Sequence, residues 1–163
     1  MRRALAVTVA AVLAMLLQTT VLPAIVPRPW VPNLILVLVV WLALHQRGAG
    51  GAVGAFLLGW FLDTFSGTLL GVHAFACTVT YLAVWMVGRT LWTERGLSAM
   101  GMVFAASGVH LAAALTIAWL VEAGGPLWHH AWHWGLVEAA LAAGAAPFVF
   151  AFLGWEQRAL GLD

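Results

Sequence analysis

Apolar residues run along this chain in long blocks with no strict apolar/polar alternation, the pattern of helices buried in an apolar medium rather than of strands. Charged and turn-forming residues divide it into six segments, near 4–22, 30–45, 49–62, 69–92, 97–121 and 135–154. At about 1.5 Å of rise per residue, the first, fourth, fifth and sixth suffice for a hydrocarbon core of about 30 Å, whereas the second and third reach only about 21 to 24 Å. The pattern predicts a single all-α polytopic membrane domain over residues 1–163, with about six transmembrane helices, two of them short. Folding the two short segments into a re-entrant hairpin would leave Arg47 near mid-membrane, at a cost of roughly 2.5 to 3.5 kcal/mol. Two short spans avoid that penalty.

Composition narrows the class further. The chain is 64% hydrophobic and 8% charged, against about 25% charged in soluble globular proteins, so no soluble fold could hide its apolar surface. Met1, Arg2 and Arg3 followed by an apolar run have the outline of a secretory signal, but no small-x-small cleavage site follows and every later segment is equally apolar, which predicts a retained first helix. With six spans, Arg2, Arg3, Arg47, Arg89, Arg95 and Arg158 share one side and Arg28 lies on the other, so both termini are expected in the cytoplasm. The opposite face then receives the connector from Pro23 to Asn33, the turn around Asp63 to Gly71 and a Trp/His loop from Glu122 to Trp134. Asn33 is placed to cap the second helix, and Pro147 to kink the last.

Candidate chemistry is sparse. Cys77 is the single cysteine, and no nucleophile elbow, phosphate-binding loop or zinc-protease motif occurs, so no enzyme activity, catalytic residue or cofactor is expected. The net charge of +1 without a basic tract gives no nucleic-acid footprint. Asp63 and His73 flank the most polar stretch between two spans; they read either as a helix cap or as an ion or proton site. His110, midway along the fifth segment beside Ser107, needs a hydrogen-bond partner. His129, His130 and His133 have one-face helical spacing, but without a carboxylate they predict a solvated interfacial loop and no metal site. Ala6, Ala10 and Ala14 form a small-xxx-small stripe that suits either internal packing or a partner helix.

Pro32-Asn33-Leu34, Arg47-Gly48, Gly54, Gly59, Leu62-Asp63, Ser66-Gly67, Leu70-Gly71-Val72 and Tyr81-Leu82, in this order and spacing, resemble the rod shape-determining protein MreD family. The resemblance implies a non-catalytic inner-membrane scaffold of the bacterial elongation machinery, supporting rod shape and lateral peptidoglycan synthesis. It implies MreC as direct partner, with RodA, a class B penicillin-binding protein and MreB reached through the complex; small-residue packing, not the resemblance, makes the stripe of Ala6, Ala10 and Ala14 the expected docking face for MreC. The family is also distantly similar to the substrate-binding components of energy-coupling-factor transporters. That similarity supplies a competing expectation, a small-molecule pocket involving Trp30, His73, His110, Trp128 and His129.

Overall fold

A computed structural model describes residues 2–25, 30–46, 48–66, 70–88, 96–122 and 127–159. Among them every extended element is helical: α1 (Arg2–Leu16), α2 (Leu22–Ile25), α3 (Leu34–His45), α4 (Ala49–Ser66), α5 (Val72–Gly88), α6 (Gly96–Glu122) and α7 (Leu127–Ala159). A wide π turn, Leu17–Val21, joins α1 to α2. It ends two residues before Pro23, whose ring would crowd the carbonyl four residues back in a regular helix and whose nitrogen has no hydrogen to give it. Three stretches, Thr8–Ile25, Ser98–Ile117 and Gly135–Glu156, are long and apolar enough to cross a membrane; Leu34–His45, Ala49–Phe65 and Val72–Gly88 are shorter apolar helices.

The short helix α3 is the axis of the structure. Its central residues, Ile35 to Ala43, are all buried, because a helix apolar on every side has no face to give to water. It touches α1, α4, α5, α6 and α7. Twelve residues make it only about 18 Å long, too short to reach both surfaces of an apolar layer of about 30 Å, so its ends need internal partners. Gln18 Oε1 accepts from the Leu34 N–H at 3.0 Å and Asn33 Oδ1 from the Leu36 N–H at 3.0 Å. At the other end the Tyr81 hydroxyl donates to the Gln46 carbonyl at 2.7 Å.

Around this axis the longer helices turn small residues inward and large ones outward. On α7, Ala139, Ala142, Ala143 and Ala146 are buried while Phe148, Phe152 and Trp155 are exposed, the distribution expected where lipid is as apolar as the core and association depends on close approach. α4 and α5 pack along each other, with Gly59 at the crossing: a Cβ there would lie 2.6 Å from the Ala74 Cα and 2.7 Å from its nitrogen.

Of the segment near 69–92, the structure describes α5 as 17 helical residues, about 26 Å long. Its start is set by Gly71, which turns the chain at φ 100°. Residues 127–134, expected in a loop, already belong to α7, since no Gly or Pro interrupts them; the side chains of His129, His130 and His133 lie outside the described residues. The last helix also runs on through Pro147 to Ala159.

Gly59→Ala should lower the stability of the detergent-solubilised protein by about 1–3 kcal/mol, because the neighbouring backbone cannot yield. Gly144→Ala, with no atom within 4 Å of the added carbon, should leave it nearly unchanged. Equal thermal midpoints for the two variants would remove the close crossing from the account.

Candidate functional site

Polar side chains converge where the N-terminal ends of α3 and α5 meet the flanks of α6 and α7. Asp63, in the last turn of α4, is 1% exposed although it carries a carboxylate. Its burial is made tolerable by four donors. Oδ2 accepts from the backbone N–H of Gly71 at 2.9 Å and of Ala74 at 3.0 Å, while Oδ1 accepts from the His73 N–H at 3.0 Å and from His73 Nδ1 at 2.8 Å. The first turn of α5 has orphan N–H groups and a partial positive charge, and a carboxylate satisfies both. The Gly59 crossing, one turn earlier, brings α4 close enough for the contact.

The bond to Asp63 orients the His73 imidazole, whose ring centre stands 6.1 Å from that of His110. His110 is itself buried, and its Nδ1 has no hydrogen-bond partner among the described residues. Both rings line a cavity of about 140 Å³ shared with Asn33, Ser107 and Glu138. Asn33 stands with Glu138 on the cavity wall, while its side-chain oxygen caps α3. The Ser107 hydroxyl donates to the Val103 carbonyl at 2.9 Å. Among the described residues no group of three His, Cys, Asp or Glu side chains is arranged to hold a metal ion.

A second feature is an apolar groove of about 590 Å³ between α1 and α4. Thr8, Ala11 and Val12 form one wall, and Gly50, Val53, Gly54, Leu57 and Phe61 the other. Ala10 and Ala14 do not face it; they are 5% and 9% exposed, in the core. Of the two readings of the alanine stripe, the burial of Ala10 and Ala14 accords with internal packing, α1 lying against α3 and α7. Val9, Val12, Leu13 and Leu16 are left outward. The side chain of Ala6 lies outside the described residues.

The remaining sequence-selected positions separate into structural and peripheral ones. The Pro32 carbonyl accepts the Leu34 N–H at 3.1 Å, Gly54 sits against Leu42, and Gly59 and Gly71 shape the approach to α5. Gly67 and the side chains of Trp128 and His129 fall outside the described residues. Trp30 is exposed and takes no part in the polar cavity; among the described residues of the expected pocket, His73 and His110 meet there. Glu138 and Asn33 were not assigned to that pocket from sequence. Glu138's one available signal was its charge inside an apolar segment.

The description "rod shape-determining protein MreD" belongs to a family model that matches residues 1–154. No curated protein and no solved structure matches the chain, and the expected similarity to energy-coupling-factor transporter components has no support from these comparisons.

Removing the Asp63 carboxylate strands several buried donors, each worth about 1–3 kcal/mol. Asp63→Ala should therefore destabilise by roughly 3 kcal/mol or more, Asp63→Asn by less, and His73→Ala least. Thermal unfolding in detergent ranks the three variants; His73→Ala as damaging as Asp63→Ala would shift the weight from the helix cap to the His73 side-chain hydrogen bond.

Proposed function

The chain belongs to the rod shape-determining protein MreD family, and on that premise we propose that it is a non-catalytic scaffold of the elongation complex that binds the single span of MreC. Membership implies a role in rod shape determination; the fit of the lateral surface to a partner helix is the physical support for the finer reading. A protein whose described residues are almost wholly apolar helix offers neighbours a lipid-facing surface above all, and helix association in lipid depends on shape more than on hydrophobicity. The α1/α4 groove has that shape: Gly50 and Gly54 lower one wall, while Val12, Val53, Leu57 and Phe61 supply contact area.

In this reading the protein is a multi-pass component of the bacterial inner membrane with both termini in the cytoplasm, as the arginine distribution favours. RodA, a class B penicillin-binding protein and MreB are engaged through the MreC-containing complex, in support of lateral peptidoglycan synthesis. The chain contributes no chemistry of its own to that synthesis.

Gly50 gives a clean test, since a side chain added there meets no atom within 4 Å yet enters the groove. Gly50→Leu should reduce MreC recovered with the tagged protein by about tenfold, equivalent to about 1.4 kcal/mol, with unchanged yield. Gly108→Leu on α6, equally open, should retain MreC. Full recovery by Gly50→Leu would exclude the groove as the contact, and loss of MreC from the unmutated protein would exclude the partner.

A further inference from the structure

We propose that His110 makes the packing of α6 against α5 and α7 sensitive to protons: the neutral ring is compatible with the packed helices, and the charged ring is not. The inference is independent of MreC binding, because His110 does not line the α1/α4 groove.

One buried atom carries the argument. His110 is 9% exposed, and its Nδ1 is buried without a hydrogen-bond partner among the described residues. A neutral imidazole tolerates this, because one of its two nitrogens carries no hydrogen and Nδ1 can be that one. The charged ring carries an N–H on both. Taking up a proton in place would therefore leave a charged donor with nothing to accept it, which costs more than an unmet neutral group.

The groups facing the ring fix the sign. α5 presents His73, whose ring centre is 6.1 Å away; a second imidazole that gains charge in acid adds repulsion. α7 presents the Glu138 carboxylate across the shared cavity, and Asp63 of α4 lies behind His73, 2.8 Å from its Nδ1. Both carboxylates favour a cation. Neither is bonded to His110 Nδ1, however, and the Asp63 oxygens already serve four donors. A buried charge is relieved by direct pairing and hydrogen bonding. α3 presents Asn33 and Leu36, which do not titrate.

Loosening the helices supplies what the packed state withholds. The space beside the ring is polar on one side, with Asn33, Ser107 and Glu138 on its wall, so a displaced ring enters a polar surrounding. Histidine changes charge between about pH 5 and pH 8. Stability falls toward acid wherever the opened form binds a proton that the packed form excludes.

The test follows thermal unfolding of the full-length protein in phosphatidylcholine nanodiscs at fixed ionic strength, from about pH 8 to about pH 5. The equilibrium should shift toward the unfolded form by about thirtyfold, the effect of one imidazole titrating near its ordinary value of about 6.5 only when unfolded. His110→Phe, or the neutral polar His110→Asn, should remove most of that shift. Glu138→Gln should enlarge it, since a carboxylate favouring the charged ring is gone. Ring nitrogen resonances give a second reading on the unmutated chain: His110 should stay neutral for as long as the helices remain packed. No shift in the unmutated protein, a shift that persists in folded His110 variants and vanishes in His73→Asn, or a His110 ring that charges without loss of stability would each overturn the proposal.

Discussion

The structure depends on one constraint: short helices whose ends stop inside an apolar layer must have those ends satisfied by other parts of the protein. A helix leaves four N–H groups and four carbonyls without intrahelical partners, and hydrocarbon offers no water to take them. α3 is the extreme case, apolar on all sides and too short to reach both surfaces. Its first N–H groups go to Gln18 and Asn33, and the carbonyl just beyond its last turn goes to Tyr81. α5 meets the same difficulty through Asp63, which reaches back from α4 to bind three backbone N–H groups.

These caps also decide which helices are neighbours. The π segment after α1 must lie against the start of α3 for Gln18 to reach Leu34, α5 must pass the end of α3 for Tyr81 to reach Gln46, and α4 must cross α5 closely for Asp63 to work. Apolar packing alone would not choose among arrangements of similar helices in lipid, because every apolar face is equally content there. Partly buried polar contacts over 16 and 35 residues of sequence supply the discrimination.

The same economy produces the polar cavity. Asn33 caps α3 with its oxygen and lines the cavity beside Glu138; Asp63 caps α5 and orients His73. Each cap therefore brings a second polar group beside α6 and α7, where His110 and Glu138 project from segments otherwise apolar. The lateral surface is organised by the opposite principle. Small residues of α1 and α7 are drawn inward, which leaves larger apolar side chains and the α1/α4 groove toward lipid and whatever shares the bilayer with it.

Much of this was legible in the residues. Block hydrophobicity and scarce charge required an all-helical membrane protein, Asn33 and Asp63 stood where helix starts need acceptors, and the spaced Pro, Gly and Asp positions carried the family resemblance. Sequence marked α1's small stripe without saying what covered it, because periodicity identifies a helix face and not the neighbour against it; only packing against α3 and α7 made Ala10 and Ala14 core residues. It likewise marked His110 and Glu138 as unusual, yet these lie 77 and 105 positions beyond Asn33 in the chain. Their meeting was decided by the tertiary structure, since only the crossing of a short central helix with two long ones brings such distant polar groups to one cavity.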